Sequence, residues 1–324
     1  MTQQIGRLDA AGIGKELPKG TAVTPTYWLD TKSAKLNPKI ASIKDESARG
    51  RIETPFHSDI AKKWSEPELG GIVYDRSFGL LLLAALGSVS TTADSPEAGV
   101  NTHTFSVKQD NDHPALTIVG KDGVGTKAAP YAVLNTLSIE ANAEQYAEFS
   151  ATFIAKALTD ATETVSRISE NRFVPDHISV KIADDLSSLD SASAITVKNC
   201  KLNIEKNPEA SYKLGSKEPE AINNGTFRVT GDLELKYEDE TYFDLFEART
   251  TKALRLTLEN TDVTIGSASN PSITIDLARV VLEEWDRSND LDGLPTQTIG
   301  FEAEFSVDDG EMISAVLVNT ATSY

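Results

Sequence analysis

The sequence predicts an α+β fold that is mainly β, with antiparallel sheets and one helix packed on them in each half of the chain. Three observations carry this. Most apolar segments alternate with period two, the mark of strands with one covered and one wet face. Only two segments have helical spacing. Each of those is preceded by a glycine, a short alternating strand and an acidic break, as in GGIVYDRSFGLLLLAALG from Gly70 and TGDLELKYEDETYFDLFEA from Thr230.

In chain order, residues 1 to 25 are interrupted by Gly6, Gly12, Gly14, Pro18, Gly20 and Pro25. That spacing argues against a packed strand or helix and predicts either a floppy terminus or an N-terminal arm that orders against a neighbouring subunit. Thr26 to Asp30 is the first expected strand, followed by a polar stretch, Thr31 to Gly50. The first helix is expected from Ser77 to Leu86, closed by Gly87, a residue suited to the left-handed cap. Strands are then expected at His103 to Lys108 (HTFSVK), Ala115 to Val119 (ALTIV) and Val133 to Glu140 (VLNTLSIE).

The stretch Thr159 to Ser193 is rich in Ser, Asp, Thr and Glu and reads as a connector holding one strand, His177 to Ala183. Beyond it come a strand at Thr196 to Glu205, a polar stretch at Lys206 to Gly225, and a strand at Thr226 to Tyr237. The second helix is expected from Thr241 to Thr251, with strands following at Leu254 to Glu259, Ser272 to Leu277, Ile299 to Val307 and Ile313 to Asn319. In Ile299 to Val307, Phe301, Ala303 and Phe305 share one face, and Glu302 and Glu304 the other. The order of strand, polar stretch, strand, helix and strands recurs at a spacing of about 165 residues. This predicts two tandem modules, residues 1 to 160 (with the arm at 1 to 25) and 194 to 324, joined by a connector at 161 to 193.

Composition narrows the function. Acids outnumber bases 49 to 31, for a net charge of -18. Binding nucleic acid needs phosphate neutralisation by Lys and Arg, so a DNA-binding role is disfavoured. A surface past which DNA must slide without sticking is a different matter, since like charge removes the attraction. No apolar run is long enough to span a membrane, and the first residues lack the pattern of a signal peptide. The single cysteine, Cys200, has no internal disulfide partner, so a chain folded in a cytosol is expected. The sequon at Asn224 carries no weight without secretion.

Each partial match to a chemical motif lacks a required residue, so no catalytic, cofactor-binding or metal-ligating residue is expected. The four histidines, His57, His103, His113 and His177, lack metal-ligand spacing and read as ordinary surface or loop residues. Gly120 to Lys127 (GKDGVGTK) places its threonine before the lysine, which fails a phosphate loop and fits a hairpin turn. Ser288 to Gly293 (SNDLDG) begins like a calcium loop, but Ile299 stands where the bidentate glutamate belongs. No Gly-x-Ser-x-Gly elbow exists, and the neighbours Asp184/Asp185 and Glu283/Glu284 point to opposite sides of an extended chain.

The opening GIGKELPKGTAVTPTYWL, the segment SEPELGGIVYDRSFGLLLLAALGSVSTT with HTF soon after, and TFRVTGDLELKY before the second helix together resemble the larger, ~300-residue tail tube proteins of siphophages. The resemblance covers nearly the whole chain and rests on the arrangement of the segments. It implies two tail-tube modules whose inner sheets join edge to edge between subunits into a continuous β-barrel. It also implies self-association into stacked rings, three subunits giving a pseudo-sixfold circle or six whole chains as the alternative. The two polar stretches match the place of the family's long loop that contacts the next ring, and the arm would act alongside them, so a chain lacking residues 1 to 20 should fold without polymerising. Glu302 and Glu304 would line the lumen. Implied partners are the tape measure and terminator proteins, with DNA only in transit and no membrane, and the implied location is the virion. No carboxy-terminal immunoglobulin-like unit is expected. The competing readings are a capsid decoration or tail terminator protein, a β-rich carbohydrate-binding or adhesive protein, and an enzyme.

Overall fold

The structure is a computed structural model that describes residues 5–94, 97–288 and 293–324. In chain order the first strands are β1 (Ala10–Lys15), β2 (Tyr27–Leu29), β3 (Thr31–Lys35), β4 (Pro38–Asp45), β5 (His57–Ser65) and β6 (Glu68–Ile72). Helix α1 (Phe78–Leu86) follows, then β7 (Gly87–Ala93), β8 (Asn101–Val107), β9 (Leu116–Lys121), β10 (Thr126–Asn142), β11 (Glu148–Ile154) and β12 (Thr159–Asp160). The rest comprises β13 (Ile178–Ala183), β14 (Ala194–Ile195), β15 (Val197–Glu205), β16 (Glu209–Ser211), β17 (Ala221–Asn223) and β18 (Arg228–Lys236). Helix α2 (Thr241–Glu247), β19 (Lys252–Glu259), β20 (Ser272–Arg287), β21 (Thr296–Ala303) and β22 (Ile313–Asn319) complete it.

Every strand pairing is antiparallel. β10 and β20 are long, and each serves two sheets. The largest sheet runs β3, β6, β11, the second half of β10, β15, β18, β21 and the second half of β20. The first half of β20 sits between β19 and β22 in a sheet that runs β14, β13, β19, β20, β22, β8, β7. The first half of β10 pairs with β9 and β12, and β9 leads on to β1 and β2. Two hairpins, β4–β5 and β16–β17, stand apart from these sheets.

The bend in β10 has a local cause. Pro130 has no N–H to donate to the ladder, and Tyr131 takes a left-handed φ of 57°. The freed Tyr131 amide donates to the buried Glu16 carboxylate at 2.7 Å. β20 breaks register against β19 between Leu277 and Val280, where the Ala278 amide turns to the Met312 carbonyl at 3.0 Å. A second irregularity follows in each strand, between Leu134 and Thr136 and between Leu282 and Glu284. A third pair lies between Thr31 and Ser33 and between Val197 and Asn199.

Apolar side chains from both halves form one main core, with α1 at its centre. Several expectations need correction. Ala10–Lys15, expected within the arm, is a buried strand between β2 and β9, because its glycines permit close approach: a Cβ on Gly12 would meet Pro25 at 2.7 Å. The polar stretch from Thr31 holds β3 and β4, whose ladder partners lie beyond it in β6 and β5, and the stretch from Lys206 holds the β16–β17 hairpin. α2 stops at Glu247 because Arg249 adopts φ 48°, and the Thr250 amide closes the turn on the Leu245 carbonyl at 3.1 Å. β21 stops at Ala303, so Phe305 is half exposed instead of sharing a covered face with Phe301. The turn tested for calcium lies mostly outside the described residues, at 289–292.

Candidate functional site

The large sheet has one face packed on the core and one face in water, and the wet face is acidic. Successive ladder pairs on it include Glu140 opposite Glu148, Lys201 opposite Asp232 and Glu234 opposite Thr298. Like charges placed directly across a ladder cost stability, so the Glu140–Glu148 pair is not explained by folding. Lys32 bridges to Glu148 at one side of it, and Lys201 lies opposite Glu140 at the other. Glu302 is on this face and accepts two bonds from Arg228, at 2.7 and 2.6 Å, which hold its carboxyl below the usual range. Glu304 is not. It lies past the end of β21 and pairs with Arg279 at 2.9 Å.

Among the described residues this sheet does not close on itself. β3 pairs only with β6, and the second half of β20 only with β21. A groove of about 880 Å³ runs along β3, with Arg7 and Asp9 in its far wall. Open edges are templates for adding another strand. The hairpins add further uncovered surface. Ile40, Ile43 and Ile52 on or near β4–β5, and Leu214 in β16–β17, are exposed, and the hairpins touch each other through the Lys63 amide and Lys217 carbonyl at 2.7 Å. Exposed apolar side chains grouped on projecting hairpins mark a contact surface.

The titratable groups are engaged in holding the fold. A cleft of about 520 Å³ beside the connector is lined by Asp30, Tyr74, Arg167, Glu170 and His177, among others. Within it Tyr74 donates to Asp30 at 3.1 Å, and Arg167 also pairs with Asp30. Glu170 accepts from the Ser77 amide at 2.5 Å and so caps the start of α1, while Asn171 donates twice to Asp75 at 2.8 Å. Burial pushes the Glu170 carboxyl up to about 7 and also raises Asp75. At the other end of α1 the buried Lys206 ammonium donates to the Ala84 carbonyl, and burial brings it down to about 7.

Of the histidines expected at the surface or in loops, His57 is exposed and His113 lies in the loop before β9, but His103, His113 and His177 are all buried. His103 meets Thr91 Oγ1 at 2.8 Å and the Ala321 carbonyl at 3.0 Å. Thr91 faces His103 across the β7–β8 hairpin, whereas Ala321 lies past the end of β22, 218 positions on, where no local spacing pointed to it. Gly120 to Lys127 forms the β9–β10 turn, in which Asp122 accepts from the Val124 and Gly125 amides. Cys200 is buried in β15, and burial pushes its thiol up to about 12. No group of three or more His, Cys, Asp or Glu side chains is arranged to hold a metal among the described residues.

Open sheet edges, an acidic wet face and projecting hairpins are the surfaces of a protein built to assemble with copies of itself. The family described as phage tail tube protein matches residues 6–307, and the chain belongs to that family. It is a major tail tube subunit of a bacteriophage, a structural protein of the virion tail. No curated protein matches the chain. Among solved structures, the SPP1 tail tube matches 40% of this chain and 74% of its own at 8% identity, with a TM-score of 0.31, too slight a likeness to argue from.

Proposed function

We propose that the chain is two tandem tube modules and that three copies close a pseudo-sixfold ring of a siphophage tail. The observation that carries this is the repetition of ladder irregularities. The breaks at Leu134/Thr136 and Leu282/Glu284 occupy the same place in β10 and β20, each strand being flanked by the hairpin partner that follows it. Those at Thr31/Ser33 and Val197/Asn199 likewise occupy the same place in β3 and β15. On this equivalence β1, β3, β6, α1, β9, β10 and β11 answer to β13, β15, β18, α2, β19, β20 and β21. The second module then starts with β13, inside the expected connector, and the β7–β8 hairpin is extra to the first.

The rest follows from the open edges. Each module contributes four strands to the large sheet, and copies joined at β3 and β20 would continue it into a closed barrel, which leaves no edge exposed. The helices lie on the covered face, so the acidic face would line the lumen and repel DNA in passage. Rings would stack through the hairpins. The subunit acts by assembly, with no catalytic role, and meets the tape measure and terminator proteins at the tube's core and end.

Negative-stain microscopy and native mass spectrometry of purified protein test this reading. Hollow tubes built from rings of three copies are expected. Rings of six whole chains would overturn the module count, and a chain that never polymerises would point to a decoration or terminator role.

A further inference from the structure

A cleft of about 230 Å³ lies where two segments of the second half meet a loop of the first. Lys206 leads into the β16–β17 hairpin and Asn224 leads out of it, and the β8–β9 loop supplies the opposite side with Lys108 to Asn111 and His113. Gln109, Asn111 and Gly225 are exposed on its rim, so it opens to water.

Lys206 is 1% exposed, yet among the described residues no carboxylate pairs with it. The acids of the adjoining loop are engaged elsewhere: Asp112 pairs with Lys19, and Asp110 with Lys108 at 3.0 Å. The charge that acts on Lys206 is that of Lys19, a second cation, which adds to the effect of burial. A buried charge without a counter-charge is strongly destabilising. Capping the Ala84 carbonyl occupies one of the three ammonium donors and leaves two.

Asn224 is unsatisfied in the same cleft. Its Nδ2 and Oδ1 are both buried and neither meets a protein partner, although its backbone amide donates to the Asn111 carbonyl at 3.1 Å. Buried polar groups without partners are rare in folded proteins, and each calls for an explanation. His113 adds no charge: its Nε2 donates to the Lys108 carbonyl at 3.0 Å, and burial brings its ring down to about 4.

We propose that this cleft binds one small oxyanion that carries a hydroxyl, of which hydrogen phosphate is the type, with Lys206 as its counter-charge and Asn224 as its selector. The free hydrogens of Lys206 and of Asn224 Nδ2 donate to the anionic oxygens, and Asn224 Oδ1 accepts from the hydroxyl. Sulfate has no hydroxyl and leaves Oδ1 unpaired, which weakens its binding about ten-fold or more. The cleft has the volume of about seven waters, enough for such an anion. The bound anion ties the β8–β9 loop to the root of the β16–β17 hairpin. Through the Lys217 carbonyl, which accepts from the Lys63 amide at 2.7 Å, it steadies both projecting hairpins.

Equilibrium dialysis of the full-length protein against inorganic phosphate, at constant ionic strength, tests this. One saturable site per chain is expected, with sulfate about ten-fold weaker or more. Asn224→Asp keeps the shape but turns a carboxylate on the anion, and it should weaken phosphate about ten-fold or more. Asn224→Ala should bind phosphate and sulfate alike. Lys206→Met should abolish binding, and should that variant fail to fold, Asn224→Asp decides alone. No saturable binding by the parent, or undiminished binding by Asn224→Asp, would overturn the site. Sulfate bound by the parent as tightly as phosphate would overturn the selector role of Asn224. Neither readout requires assembly, so failure of the protein to form tubes counts against the tube reading and leaves this test intact.

Discussion

The two helices each follow a short strand and an acidic break, and they end in opposite environments. α1 (FGLLLLAAL) is buried at every position; α2 (TYFDLFE) is buried at none. Part of this is composition, since a helix apolar all round must be enclosed, whereas α2 carries Asp244 and Glu247. The rest is the company each keeps. The ring of Tyr324 lies flat on α1 where Gly79 leaves room, since a Cβ there would come within 2.2 Å of it, and its hydroxyl donates to the Arg76 carbonyl at 2.6 Å. β22 pairs with β8, and Lys206 caps the last turn. α2 rests on β20. The contrast teaches that folding alone encloses the first helix and leaves the second partly exposed.

The largest test of that contrast compares one truncation in each helix. Leu82→Ala should lower the stability of the monomer by about 2–5 kcal/mol, measured by denaturant unfolding, because it opens a cavity in the main core. Phe246→Ala should cost the monomer about 1 kcal/mol or less yet block tube formation in a sedimentation assay. Equal destabilisation of the monomer by both would erase the distinction. Deleting residues 1 to 20, which removes β1, should unfold the chain and abolish the cooperative melt.

A smaller effect concerns the start of α1. Glu170 is raised by burial from its ordinary 4.5 to about 7. The folded state therefore holds a proton that the unfolded state releases, and stability contributed by this group falls as pH rises from about 4.5 through about 7. His113, lowered by burial to about 4, acts in the opposite sense between about 4 and 6.5, so the melting curve of the unmodified protein mixes both. The difference between Glu170→Gln and the parent isolates the first. The variant should gain relative stability between pH 5 and pH 8, and a pH-independent difference would refute the linkage. Smallest of all, Glu140→Gln should shift the monomer's stability by less than about 0.5 kcal/mol, again by denaturant unfolding, because relief of Glu148 on one side is offset by loss of Lys201 on the other.

Much of the fold was legible along the chain. α1 and its Gly87 cap fall within a residue of the expected place, and the alternating segments from His103, Thr196, Thr226 and Ile313 are strands. The surfaces that matter for assembly were less so. β1 is held by glycine-permitted contacts with Pro25 and Trp28, which a pattern of breakers conceals. The hairpins look polar because their residues lie in water even when paired. The acidic face was visible only at Glu302 and Glu304, and the second of these is off the strand.

By itself the sequence determined the class of protein: strands with one wet face, two helices, a heavy excess of acid, and a layout shared with the tail tube family. These depend on neighbours in the chain, where side-chain period and turn chemistry act directly. Only the tertiary structure decided which edges are paired and which are open, and which helix is covered. His103 finds Asn319 at 3.2 Å across 216 positions, and β20 changes partners part-way along its length. Such choices are set by which distant segments can pack together, and no local pattern carries that information.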